Sequence, residues 1–213
     1  MAIARLPEDA FRKWPSTCVF AIVPLDRYFS VFHVIQDLDD DGTPRPYIKN
    51  PGGGADTPTV NRYFEDCMIG ESDLAHLNLQ DRTTLLRLAV AAELWEETGF
   101  FVRPDELDSF VLVHEEHVPD RESDGVHVRI TFLLTFPFAG DPKLGKEIAE
   151  GFMLSAKQIV HEFPKEFPPH HLEAFRLVIE AMGEGRSVEP KTSCRVGTRC
   201  QACLTNTNKE GSR

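Results

Sequence analysis

Short apolar runs separated by polar breaks dominate the chain from Cys18 onward. CVFAIVPLD and YFSVFHVIQDL are rich in Val, Ile and Phe and flank a short turn, so both read as strands. DLDDDGTPRP supplies a polar turn, and its acidic residues 39–41 lack the later ligand positions of a calcium loop. PYIKNPGGG reads as a strand running into a glycine-rich loop over residues 46–54. Residues 55–80 show no clean period and look like an insertion. The pattern then becomes helical in DRTTLLRLAVAAELWEETG, with Asp81 placed to cap the start and Gly99 the end. SFVLVHEEHV and VHVRITFLLTF follow as strands around a polar loop. GFMLSAKQIV reads as a strand end turning into a short helix, and HHLEAFRLVIEAMGEG as an amphipathic helix stopped at Gly183 or Gly185. The order predicts an α/β (α+β) fold in which helices sandwich a mixed β-sheet. It divides the chain into an N-terminal arm (1–16), one domain (17–185, insertion about 57–80) and a flexible tail (186–213).

Charge narrows the partners. A net charge of -11 opposes the phosphate tracking that a nucleic-acid polymer demands. It leaves room for a small nucleotide, provided divalent cations stand between the two sets of anions. No apolar run is long enough to span a membrane, and the N-terminal residues lack the apolar core of a secretory signal, so a cytoplasmic location is expected. The odd count of cysteines (Cys18, Cys67, Cys194, Cys200, Cys203) argues against a disulfide framework.

The long helix carries the candidate chemistry. On a wheel, Leu85, Leu88, Ala91, Ala92 and Trp95 form an apolar stripe. Glu93, Glu96 and Glu97 share another side, because spacings of three and four make neighbours. Like charges so placed repel by roughly 0.2–0.5 kcal/mol per pair. In the last turn the helix dipole adds roughly 0.3–1 kcal/mol against each. No basic residue of the helix lies within a turn on that side; Arg87 points elsewhere and Arg82 is far along the helix. A fold does not need this arrangement, whereas a hard divalent ion such as Mg²⁺ or Mn²⁺ does. A solvated acidic face is the alternative on the wheel alone.

Residues around the glutamates sharpen the choice. Ala92-Glu93-Leu94-Trp95-Glu96-Glu97-Thr98-Gly99-Phe100 resembles the second half of the Nudix box, Arg-Glu-aliphatic-x-Glu-Glu-x-Gly-aliphatic. It departs at Ala92, provided Phe100 is accepted as the final apolar residue. Pro51-Gly52-Gly53-Gly54 looks like the Pro-Gly-Gly that opens the Nudix loop, and Glu147 and Glu150 before GFMLS look like the acidic loop that often follows. The resemblance implies a Nudix-like α/β/α sandwich. It implies a metal-dependent pyrophosphohydrolase that cleaves a nucleoside diphosphate linked to another moiety by water attack on phosphorus. Carried over by position, Glu93, Glu96, Glu97 and the Gly52 carbonyl would hold Mg²⁺ or Mn²⁺, and Glu93 and Glu97 would be catalytic, Glu93 as first candidate for the base. Gly53, Gly54 and Arg129 would meet substrate; Glu147, Glu150, Glu115 and Glu116 are lower-ranked bases.

Three departures from the box stand out, and two of them, the missing loop glutamate and the missing Arg, keep open a second reading, that of an inactive nucleotide- or protein-binding module. Gly53 and Glu93 stand forty residues apart, so a segment is inserted between the motif's halves. The loop glutamate has no clear equivalent: Thr59 and Thr84 stand at its counted positions, with Asp56 the nearest carboxylate. The box Arg, which orients the carboxylates, is replaced by Ala92. His114, His117, His170 and His171 read as structural, Trp95, Phe100 and Phe101 as core packing, and Cys200-x-x-Cys203 as part of the tail. The sequence leaves open the substrate's second moiety, the role of Cys194, Cys200 and Cys203, and the oligomeric state, with which a homodimer is compatible.

Overall fold

The computed structural model describes residues 2–120, 125–138, 141–185 and 187–194. Seven strands form one sheet: β1 (Thr17–Pro24), β2 (Val31–Asp37), β3 (Gly52–Gly54), β4 (Phe110–Pro119), β5 (Val126–Leu134), β6 (Ile148–Ser155) and β7 (Lys191–Cys194). Their order is β6-β2-β1-β5-β4-β7, with β3 also paired to β1. β1 is the pivot. It runs antiparallel to β2 and β3 and parallel to β5, so that Val19 sits between Gly53 and Ile130.

Side chains of β1 alternate between two apolar layers, as a strand of period two requires. Val19, Ala21 and Val23 face the layer that holds α1 (Thr57–Asp66) and α3 (Arg82–Thr98). Ile22 faces the other layer, where α4 (Pro169–Gly183) packs through Phe175, Val178 and Ala181. Phe175 meets Phe32 of β2 edge-on at 5.3 Å between ring centroids. The predicted sandwich of a mixed sheet between helices is therefore present.

α3 forms as its caps dictate. The Asp81 carboxylate accepts from the Thr84 N–H at 2.8 Å, and Gly99 turns left-handed at φ 69° while its N–H closes on the Trp95 carbonyl. The helix is buried almost all round, because α1 covers the side turned away from the sheet. That covering element lies in residues 55–80, the stretch read as an insertion without a clean period. Asp56 caps α1 by accepting from Thr59 N–H at 2.8 Å, Pro58 sits in the first turn, and Val60, Tyr63 and Phe64 bury themselves. The short α2 (Glu71–Leu74) follows.

Two expectations change, for the glycines and the tail, and the arm gains a place. Gly52–Gly54 is not a loop but strand β3, held by β1. The arm before β1 is packed against the domain: Ala4 and Leu6 are buried, and the Ala4 N–H donates to the Ile69 carbonyl at 2.9 Å. Within the expected tail, Lys191–Cys194 forms β7, parallel to β4. Cys200 and Cys203, with residues 195–213, lie outside the described residues. Among the described residues, no helix is long and apolar enough to cross a membrane.

Candidate active site

A cleft of about 940 Å³ opens between β3, the C-terminal half of α3, α1, the end of β2 and residues 143–148. Its floor depends on backbone approach. Gly52 lies so close to β1 that a Cβ would fall 2.1 Å from the Val19 carbonyl oxygen, and its φ of 142° suits glycine. A Cβ on Gly53 would stand 2.4 Å from Glu93 Oε2. The glycines thus let the carboxylates of α3 lie directly against β3, a closeness that no other residue type permits.

The three glutamates are not equivalent. Glu93 and Glu97 are each only 9% exposed, while Glu96 turns outward and pairs with Arg62 of α1. Burial, then the neighbouring Glu97 and Glu96 charges, push the Glu93 carboxyl up to about 8. Burial also pushes Glu97 up to about 7, against the opposing pull of Lys49. Lys49 reaches the floor from the segment before β3. Its Nζ lies 2.8 Å from the Gly52 carbonyl oxygen and 3.0 Å from both Glu97 Oε1 and Asp37 Oδ2. Burial alone would lower the lysine's pKa, but Glu97 and Asp37 outweigh it and the value rises. The Gly52 N–H donates to the other oxygen of Glu97.

One wall of the cleft is tied to the helix end. The Lys143 N–H donates to the Thr98 carbonyl at 2.8 Å and the Gly145 N–H to the Glu97 carbonyl at 2.9 Å, satisfying acceptors that a helix terminus leaves open. This segment brings Lys143, Lys146 and Glu147 to the cleft, which Arg62 and Arg45 also line.

Of the residues singled out in the sequence, Glu93, Glu96, Glu97, Gly52, Gly53, Gly54 and Glu147 come together here. Glu115, Glu116, Glu150 and Arg129 do not line the cleft. Glu116 is buried against Arg129 Nη1 at 3.2 Å, Glu115 meets His117 at 2.8 Å, and Glu150 stands opposite Gln36 in the β2–β6 register. Asp56 caps α1 through Oδ1 and does not line the cleft, although its charge acts on Glu93; Thr59 does line it. Trp95 is a wall residue as well as a packing one. Sequence reasoning missed Asp37, Lys49 and Arg62. Only a charged residue inside the apolar strand-like run PYIKNP could have signalled Lys49.

The donor set suits a hard cation: carboxylate and carbonyl oxygens, an excess of buried negative charge, and a glycine floor that a Cβ would fill. Among the described residues, no three His, Cys, Asp or Glu side chains already converge as a metal-ligand group; Lys49 is inserted between two of the donors.

No protein-family model matches the chain, and no curated protein does. Solved structures do. A NUDIX hydrolase from Alicyclobacillus acidocaldarius superposes with a TM-score of 0.54 at 13% identity, covering 83% of this chain and 99% of its own. A NUDIX hydrolase from Nitrosomonas europaea gives 0.53 at 12% identity, covering 84% and 78%. A bifunctional NMN adenylyltransferase/ADP ribose pyrophosphatase from Francisella tularensis, complexed with AMP and Mn ion, gives 0.51 at 16% identity, covering 80% and 42%. The chain therefore has the Nudix fold.

Proposed function

We propose that this chain is a Nudix-type hydrolase of phosphoanhydride bonds, dependent on Mg²⁺ or Mn²⁺, that cleaves a nucleoside diphosphate linked to another moiety by water attack on phosphorus. The observation that carries the reading is the pair of buried glutamates, Glu93 and Glu97, pressed against a glycine strand at the negative end of a helix. Desolvated carboxylates so placed destabilise the fold unless something positive compensates them.

Glu93, Glu96, Glu97 and the Gly52 carbonyl would hold the ion, Glu97 and Gly52 in competition with the Lys49 ammonium that now contacts them. When bound, the ion neutralises the diphosphate and acidifies a coordinated water. Glu93 is the proton acceptor we favour, because its carboxylate lies against Gly53 on the cleft floor, beside the other α3 carboxylates. Glu147 at the rim ranks second. Lys143, Lys146 and Arg45 give the cleft a basic rim over an acidic floor, which suits a phosphate bridged to carboxylates through a cation. A small nucleotide is the substrate class; the net charge of -11 disfavours a nucleic-acid polymer.

The test is a panel of ADP-ribose, NADH, dinucleotide polyphosphates, nucleoside-diphosphate sugars and coenzyme A with Mg²⁺ or Mn²⁺, read by phosphate released after phosphatase treatment. Turnover of at least one class is expected, with a loss of about 10²–10⁴-fold in a folded Glu93→Gln variant. No cleavage of any class refutes hydrolysis. A second reading, nucleotide binding without turnover, is favoured by the lysine on Glu97 and by buried Ala92 at the box arginine position. It predicts that panel members bind and stay intact.

A further inference from the structure

The floor of the cleft already holds a positive charge, and that charge is covalently attached. The Lys49 ammonium is surrounded by the Gly52 carbonyl and by carboxylates of Asp37 and Glu97, each at 2.8–3.0 Å. These oxygens come from three separate stretches of chain, and the side chains that hold the lysine are mostly shielded, with Asp37 15% and Glu97 11% exposed. The stem is fixed too. Lys49 exchanges backbone hydrogen bonds with Ile35 of β2, at 2.8 and 3.0 Å.

Two of the three groups, the Gly52 oxygen and Glu97, are donors that the proposed function gives to a divalent ion. An ammonium seated among these oxygens repels a divalent ion and competes with it for their lone pairs. Mg²⁺ requires donor oxygens at about 2.1 Å in octahedral array, and a protonated lysine has no lone pair to offer. The arrangement also goes beyond orienting a carboxylate. A lysine that only oriented Glu97 would need no contact with a backbone carbonyl, whereas a cation seat uses carbonyl and carboxylate oxygens together.

We propose that Lys49 is a tethered counter-cation that takes the place of a divalent ion on Gly52 and Glu97, so that metal loads only on the Glu93–Glu96 side of α3 while the lysine is seated. The proposal rests on reading the cleft as a divalent-cation site, but not on hydrolysis. It makes charge neutralisation at Glu97 part of the folded chain and confines exchangeable metal to Glu93 and Glu96.

Mn²⁺ titration of the full chain, with free Mn²⁺ counted by electron paramagnetic resonance and affinity by calorimetry, tests it. Lys49→Met is expected to take up about one more Mn²⁺ than the wild type, or to bind it about tenfold tighter, once the fixed charge is gone. Lys49→Arg keeps the charge and should match the wild type. A folded Lys49→Met with unchanged stoichiometry and affinity overturns the proposal and leaves Lys49 as a residue that only orients Glu97. Should Lys49→Met unfold in chelator, refolding it in Mn²⁺ decides: recovery supports the substitution of one cation for the other, and failure to recover overturns it. Extra Mn²⁺ in Lys49→Met with no cleavage of the substrate panel by the wild type would sink hydrolysis alone. Cleavage by the wild type with no extra Mn²⁺ in the variant would sink this proposal alone.

Discussion

Replacing Gly53 by alanine separates the chemistry of the cleft from the stability of the fold. The added methyl would stand 2.4 Å from Glu93 Oε2 and 2.9 Å from its Cδ, where ordinary contact begins near 3.4 Å. Something must retreat by about 1 Å, and the atom in the way is the far end of a flexible side chain. The strand itself loses little, since alanine restricts the unfolded chain more than glycine does; the change in stability should stay within about 1 kcal/mol. Function should suffer far more. A catalytic group misplaced by about 1 Å costs on the order of 10²-fold in rate. Gly52→Ala is the contrast, because its methyl would meet backbone atoms, the Val19 oxygen at 2.1 Å and Phe20 Cα at 2.7 Å, at a φ of 142°. Backbone of a central strand cannot swing aside, so that variant should lose roughly 2–4 kcal/mol. Thermal melts, Mn²⁺ affinity and kcat/KM measured on both variants check the pair. A Gly53→Ala protein with wild-type turnover and Mn²⁺ binding would show that the position of the Glu93 carboxylate is irrelevant to the site.

Three further outcomes follow from the same contacts. The Glu93 carboxyl stands at about 8 against an ordinary 4.5, so between those values the folded chain keeps a proton that the unfolded chain has released. Stability in chelator must therefore fall as pH rises across that window, and Glu93→Gln should flatten the fall by a few kcal/mol, as melts at a series of pH values will show. Gly145→Ala would bring a methyl within 2.4 Å of the Glu96 carbonyl oxygen and strain the Gly145–Glu97 hydrogen bond. It should cost about 1–3 kcal/mol by denaturant unfolding and raise KM by loosening the wall that carries Lys143 and Lys146. Phe175→Ala removes a fully buried ring packed against Phe32 and Phe167 and should cost about 3–5 kcal/mol in urea titration, with no specific effect on metal binding.

Much of the fold was legible because its signals are local. β-branched and aromatic runs placed β1, β2, β4 and β5, and a capping aspartate and a terminal glycine bounded α3 within a residue. Helix α1 escaped because it is short, although Asp56 and Pro58 mark its first turn. Its apolar residues Val60, Tyr63 and Phe64 take meaning only when α3 is there to receive them. The glycines misled in the opposite sense: residues that usually mark a loop form β3 because only a backbone without Cβ fits between β1 and Glu93.

The sequence by itself determined that three carboxylates share one side of a helix end and that glycines precede them, since helical spacing and residue type are properties of a few neighbouring positions. Tertiary structure alone decided which carboxylates are buried, and that Arg62 neutralises Glu96 while Lys49, 48 residues from Glu97, sits between it and Gly52. Desolvation and ion pairing depend on what the sheet and α1 bring within a few ångströms, and no run of adjacent residues encodes that distance.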